Sequence, residues 1–487
     1  MTITQLSPNA IWHYFNEICR IPRPSKKEEK IIAYLSEFGK SHGLDTRTDK
    51  AGNVLISKAA TPGYENLKTV ILQSHVDMVC EKNSDTVHNF DLDPIQPYID
   101  GEWVKAKGTT LGADDGIGVA AQLAILAASD MEHGPLECLF TTDEETGLSG
   151  AFALEKNFMT GEILLNLDSE DEGELYMGCA GGIDTIALLE FMKEDVPQNL
   201  KPFKVVVKGL KGGHSGDDIN KELGNANKIL NRFMWECHKE FGIKVSSFNG
   251  GNLRNAIARE AEAVLLVHKD NVELLLQKMP VFINEIKSVF EVTEPGFRLE
   301  IEETEKPGFI LDRDAQNKLL NVIYACPHGI LGMSKTIPGL VETSTNLASV
   351  KMLDDTHIEI VTSQRSSVEA ARKGAAQMLR SVFSLAGATV RHSDGYPGWK
   401  PNLNSPVLNI TRQTYQSVFK VEPEVKAIHA GLECGLFLEK YPFLDMVSFG
   451  PTIKGAHSPD ERIHIESVNK FWLLLTETLK RIPEKEH

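Results

Sequence analysis

Hydrophobic positions along the chain fall into two rhythms. Up to about residue 168, short continuous apolar runs alternate with stretches of helical spacing. Ile31, Ile32, Leu35 and Phe38 share one helix face, 54–56 reads as a strand, and Val70-Ile71-Leu72-Gln73 as another. An Ala- and Leu-rich helix is expected from about 116 to 128, followed by strands over 136–140 and 163–165. Apolar runs separated by helices predict buried, mostly parallel strands joined by right-handed crossovers.

After about Gly182 the rhythm changes. Strands are expected at 203–207 and 256–268, long amphipathic helices at 219–241 and 272–289, and further strand and helix signals at 297–301, 357–362, 368–385 and 388–391. Paired strands under helices predict an α+β insertion. Gly395-Tyr396-Pro397-Gly398-Trp399-Lys400-Pro401 is a turn-rich return, and from about Ser405 helices and strands alternate again. The expected fold class is therefore α/β. One mostly parallel-sheet domain is built from residues 1–186 and 398–487, around an inserted α+β domain over 187–397.

A length of 487 residues is too great for a single ordinary core, in keeping with that division. The 41% hydrophobic and 24% charged content is that of a globular chain. A formal charge of −17, from 51 Lys+Arg against 68 Asp+Glu, argues against a nucleic-acid or anionic-membrane surface. No apolar run is long enough to cross a bilayer, and the opening residues lack the pattern of a secretory leader. The seven cysteines are scattered and never in Cys-x-x-Cys spacing, which predicts reduced thiols in a cytoplasmic protein.

The candidate chemistry lies where the apolar runs end. One run leads into His75-Val76-Asp77, another into Asp143-Glu144-Glu145, a third into Asp168, and 446–449 is followed by His457. In open α/β sheets ligands bind beyond the carboxyl ends of the strands, so these groups are expected to meet. Each motif alone has an ordinary reading: a strand-end His bonded to a surface acid, a solvated acidic turn, a loop histidine. Gly112-Ala113-Asp114-Asp115-Gly116 lacks the dinucleotide spacing, and its paired acids repel phosphate. By itself it reads equally well as an acidic helix start. His214, in Gly212-Gly213-His214-Ser215-Gly216, sits in a glycine-framed loop of the insertion, whereas His42, His88, His133 and His268 lack any such context. Combined, imidazoles and carboxylates make a donor set suited to zinc, manganese or cobalt, and adjacent Glu residues can divide the work into ligand and general base.

In their order along the chain, His75-x-Asp77, Gly112-Ala113-Asp114-Asp115, Asp143-Glu144-Glu145-x-Gly147, Asp168 and Gly455-Ala456-His457 resemble the M20 metallopeptidase family. Thr109 to Asp114, Met177 to Gly182 and Gly212 to Gly216 resemble its dipeptidase branch, and the likeness covers nearly the whole chain. The resemblance implies two divalent metal ions, zinc foremost with cobalt or manganese as alternatives. His75 and Asp168 would bind one ion, Glu145 and His457 the other, and Asp114 both, while Asp115 coordinates neither. It implies Glu144 as general base, Asp77 orienting His75, a cis peptide at Asp114-Asp115, and hydrolysis of Xaa-His and other unblocked dipeptides by a metal-activated water. The insertion would be a lid and homodimerisation domain, with His214 stabilising the oxyanion and Asn255 and Arg365 binding substrate. Ala258 stands where relatives often carry proline after Asn-x-Ile, and His429-Ala430-Gly431 occupies the place of a turn near the substrate terminus. Rival readings are a tripeptidase or N-acyl amino-acid deacylase of the same fold and, from another class, a non-catalytic metal-stabilised binding protein. Retention of Glu144 speaks against the last.

Overall fold

The structure is a computed structural model, described over residues 2–485. The chain divides into two compact units. The first comprises Met1–Gly178, Trp399–Ala427 and Glu433–His487, the second Cys179–Gly398 and Ile428–Leu432.

The first unit is built on an eight-stranded sheet in the order Asp45–Thr48, Val54–Lys58, Leu136–Thr141, Val70–His75, Ile163–Asn166, Asp445–Ser448, Glu174–Cys179, Glu424–Ile428. Its centre is parallel: Val70–His75 runs alongside both Leu136–Thr141 and Ile163–Asn166, and the latter alongside Asp445–Ser448. Every residue of Val70–His75, Leu136–Thr141 and Ile163–Asn166 is buried, as the apolar runs require. The flanks are antiparallel, because Asp45–Thr48 and Val54–Lys58 form a hairpin whose second strand then pairs antiparallel with Leu136–Thr141.

Helix Ala113–Ala127 bridges two of the parallel strands and is buried almost all round, consistent with its Ala- and Leu-rich sequence. Gly118 lets it lie close to the sheet, since a Cβ there would sit 2.5 Å from the Ser74 hydroxyl. No helix among the described residues is long and apolar enough to cross a membrane.

The second unit carries a nine-stranded sheet whose ladders are all antiparallel. In Leu200–Lys208 the buried residues alternate, with Phe203, Val205 and Val207 turned into a core. Helices Ala226–Phe241, Val272–Phe290, Arg313–Ala325 and Glu369–Leu385 contribute Phe233, Phe282, Leu319 and Phe383 to that core.

Several expectations need correcting. The helix expected over 219–241 begins at Ala226, where the Asn225 side chain accepts the N–H groups of Asn227 and Lys228; 219–221 is a separate 3-10 turn. The strand expected over 256–268 is Ala261–His268, preceded by a two-residue pairing at Ala256–Ile257. The segment Ile428–Leu432 clusters with the second unit, where the Ala180 N–H donates to the carbonyls of Ile428 and Ala430.

Candidate metal centre

Parallel strands with matched register carry their last residues to a common edge, and the first unit places its acids and imidazoles there. His75 closes its strand and is buried. Its Nε2 lies 3.1 Å from Oδ1 of Asp114 and 3.3 Å from Oδ1 of Asp168. His457 approaches from the loop after Ile453–Lys454, with Nε2 3.2 Å from Oδ2 of Asp114 and 3.0 Å from Oε2 of Glu145. The peptide between Asp114 and Asp115 is cis. Asp115 is buried and turns away from both imidazoles, its Oδ1 accepting the Gly118 N–H at 3.2 Å.

Asp77, two residues beyond His75, holds more than its histidine. Its Oδ1 lies 3.4 Å from Nδ1 of His75 and accepts the Glu144 N–H at 3.0 Å. Its Oδ2 accepts the Glu145 N–H at 3.2 Å and the Ser25 hydroxyl at 2.8 Å. The short helix Glu144–Gly147 is thus fixed to the end of strand Val70–His75. Glu144 as a residue is half-buried, and its carboxylate makes no hydrogen bond among the described residues. Asp143 takes no part in the cluster, because its two oxygens accept the hydroxyls of Thr146 and Ser149.

Electrostatics reflect the crowding of acids. At Asp114 burial would raise the carboxyl, but hydrogen bonds with His457 and His75 outweigh it and hold the group well below the usual range. Burial pushes Asp168 up to about 6 against the attraction of His75. Glu144 is raised by burial together with the charges of Asp168, Glu145 and Glu433, and Glu145 by burial and the charge of Asp114. Hydrogen bonds to Asp114 and Glu145 carry His457 up to about 11.

The residues fit divalent metal. One ligand atom from each of His75, Asp114 and Glu145 lies within 4.8 Å of the others. Ions with ligand bonds of about 2 Å can span that spacing. Oε1 of Glu145 is buried with no hydrogen-bond partner, a costly condition for a carboxylate oxygen without a cation. Imidazole and carboxylate donors without thiolate suit zinc, cobalt or manganese. A second acidic group, Glu28, Asp77 and Asp143, is consumed internally by the Lys26 and Asp143 N–H groups and by Ser25, Thr146 and Ser149.

Sequence reasoning missed a hydrogen-bonded layer directly beneath these ligands. Gln73 and Asn166 stand two residues before His75 and Asp168, and Thr141 two before Asp143. Oε2 of the fully buried Glu433 accepts Gln73 Nε2 at 2.6 Å and the Thr141 hydroxyl at 2.7 Å, while Gln73 Oε1 accepts Asn166 Nδ2 at 2.6 Å. Burial pushes Glu433 up to about 8. The available signal is a polar residue at or near the end of three mostly apolar runs, in each case two positions before an imidazole or carboxylate.

The remaining candidates gather in the second unit. The strand pair Gly213–His214 and Ala256–Ile257 places His214 beside Arg365, with Nε2 to Nη2 at 3.4 Å. Arg365 is buried and also donates from Nε to the Ser215 hydroxyl at 3.3 Å and from Nη1 to the Tyr396 hydroxyl at 3.0 Å. Asn255 joins this group through its carbonyl, which accepts the Ser215 N–H at 2.7 Å. Nε2 of His429 lies 2.7 Å from the Ser344 hydroxyl.

Comparison with known proteins is consistent with this chemistry. The profile described as peptidase family M20/M25/M40 matches residues 71–481. The chain is 48% identical over 483 residues to the cytosol non-specific dipeptidase of Escherichia coli (strain K12), covering 99% of each. It is similar in structure to aminoacylhistidine dipeptidase from Vibrio alginolyticus, with a TM-score of 0.89 and 45% identity over 100% of this chain and 99% of that one. A tripeptidase from Staphylococcus aureus shares the fold at a TM-score of 0.58 and 17% identity, over 98% and 99% of the two chains.

Proposed function

The chain belongs to peptidase family M20/M25/M40, and from that premise we propose that it is a metal-dependent dipeptidase cleaving unblocked dipeptides, Xaa-His among them. The observation that carries the reading is Asp114, whose two oxygens face His75 on one side and His457 on the other. In this reading His75 and Asp168 would hold one ion, Glu145 and His457 would hold the other, and Asp114 would serve both. Zinc is the proposed metal, with cobalt or manganese able to use the same donors.

When bound, the two ions supply Lewis acidity toward the scissile carbonyl and make water acidic near neutral pH. Glu144 is the base: its carboxylate takes the proton from water and gives it to the departing amine nitrogen. The support is a side chain without a hydrogen bond among the described residues, on a backbone anchored by Asp77. Asp77 orients His75 through Nδ1. For the second unit we propose His214 as oxyanion donor and Asn255 and Arg365 as substrate contacts, Arg365 pairing with the free carboxylate. Their support is the motif resemblance and their mutual contacts. A cytoplasmic location and a homodimer through the second unit complete the reading. The helix Val272–Phe290 supports the homodimer by exposing Leu274, Leu276, Val281 and Val289.

The test is metal analysis of purified protein with a panel of free dipeptides, tripeptides and N-acetyl amino acids. Dipeptide hydrolysis lost to a chelator and restored by zinc is expected. Preference for either other class overturns the substrate assignment, and retained metal without any hydrolysis overturns the enzymatic one.

A further inference from the structure

Two buried charges outside the ligand set grip the segment 111–114 from opposite sides. Glu461 is 2% exposed, and its carboxylate accepts four consecutive backbone N–H groups: Oε2 those of Leu111 at 2.7 Å and Gly112 at 2.9 Å, Oε1 those of Ala113 at 2.7 Å and Asp114 at 3.3 Å. Arg23, also 2% exposed, donates from Nη1 to the carbonyls of Val76 at 2.9 Å and Asp77 at 2.8 Å, and from Nη2 to the carbonyl of Gly112 at 2.5 Å. Neighbouring N–H groups converge on one anion when the chain passes through a left-handed residue. Gly112 provides it at φ +67°, and a Cβ there would meet the Arg23 guanidinium at 2.5 Å.

Glu461 follows His457 by four residues, in a loop closed by the Glu461 N–H on the Ser458 carbonyl and the Ser458 hydroxyl on the Gly455 carbonyl. The His457 side chain is 55% exposed and its backbone sits at φ +64°. Packing does not hold an imidazole that exposed, so the anchorage of its loop must. Glu461 supplies that anchorage, and the turn it grips is the one that ends in Asp114. A buried carboxylate is tolerated only when its lone pairs are met, and here four N–H groups meet them.

We propose that Glu461 is a positioning residue that docks the His457 loop onto the Asp114 turn, with Arg23 tying the same turn to the end of the His75 strand. The proposal rests on the ligand assignments above. Its consequence is asymmetric. His75 and Asp168 follow directly from paired strands Val70–His75 and Ile163–Asn166, whereas His457 reaches Asp114 and Glu145 only through its loop. Loss of the Glu461 anion therefore loosens one ion of the two.

The test titrates metal-free wild type, Glu461→Gln, Glu461→Asp and His457→Ala with Zn2+ against a competing chelator, checking the fold by circular dichroism. Glu461→Gln presents one oxygen where two are used, and turns an amide toward backbone N–H groups. One zinc equivalent is expected to bind as in wild type and the other roughly 10–100-fold more weakly. Turnover lost at low zinc should return at high zinc with KM for dipeptide unchanged. Glu461→Asp keeps the charge with a shorter reach and should fall between; if Glu461→Gln does not fold, it carries the same comparison. Wild-type affinity for both equivalents, or equal weakening of both, overturns the proposal. His457→Ala reports separately on the assignments beneath it: loss of one equivalent is expected, and retention of both overturns the ligand assignment itself.

Discussion

Asp114 divides its carboxylate between two histidines that come from opposite ends of the chain: Oδ1 lies 3.1 Å from Nε2 of His75 and Oδ2 3.2 Å from Nε2 of His457. Asp115, its neighbour, spends its oxygen on the N–H of Gly118 instead. The two adjacent acids therefore have separable roles. Asp114→Asn should lose both metal equivalents and activity, whereas Asp115→Asn, which keeps an acceptor for Gly118, should retain both metals. Metal analysis giving the reverse pattern would reassign the pair.

Glu144 lies beside a proposed ligand without a hydrogen bond of its own among the described residues. Glu144→Ala is expected to keep metal content near wild type and to lower turnover at least ~100-fold, the scale of lost acid-base catalysis. Comparable turnover at equal metal loading would remove Glu144 as base.

Asp77 accepts the N–H groups of Glu144 and Glu145 while facing His75, so it serves base and ligands together. Asp77→Asn, which offers one oxygen where two are engaged, should weaken metal binding about 10–100-fold. Ser25→Ala removes only one donor to the same carboxylate and should have a smaller effect. Equal effects, measured by zinc competition, would reduce Asp77 to one contact among several.

Arg365→Ala is expected to raise KM for free dipeptides roughly 10–100-fold, the worth of a charge-assisted hydrogen bond, and to change KM for dipeptide amides little. Only the former present a carboxylate to the guanidinium. Matching losses on both substrates would place Arg365 in support of His214, Ser215 and Tyr396 alone.

His429 gives a pH dependence with a definite sign. Burial, reinforced by the positive charge of Arg365 and by His214 and opposed by Asp217, lowers it to about 4; its Nε2 meets the neutral Ser344 hydroxyl. An unfolded histidine titrates near 6.5, at ~1.4 kcal/mol per unit of difference. Between those values the unfolded chain binds the proton and the folded one does not. Stability from this group is complete above about pH 6.5 and is lost as pH falls toward 4. Urea midpoints of wild type should therefore drop more steeply across that window than those of His429→Gln; parallel curves would mean that His429 charges in the folded state.

Regular structure was legible where a single periodicity governed burial. The strands ending at His75 and Asn166 are continuous apolar runs because both their faces are covered, and the alternation in 203–207 marks a sheet with one covered face. Strand Val341–Met352 escaped notice because its buried positions include Thr343, Ser344, Thr345 and Asn346. Thr343 meets the Ser366 hydroxyl and Asn346 Nδ2 donates to the Ala256 carbonyl, and no hydrophobic rhythm announces such positions. The late start of the helix expected over 219–241 came from a local cap at Asn225 that periodicity does not register.

The sequence by itself determined which donor atoms the chain possesses and that several of them follow buried strands, because parallel strands deliver their carboxyl ends to one edge whatever the loops between them. Residue chemistry alone does not say which acid of the adjacent pair turns toward the imidazoles, since Asp114 and Asp115 are alike; only the family resemblance pointed to Asp114, and it is the turn through Gly112 and the start of the helix that aims one at His75 and the other at Gly118. Nor could the sequence distinguish Glu461 from a solvated surface acid. Its four N–H partners lie some 350 residues away in the chain, and only the folded protein removes the water that would otherwise have met that charge.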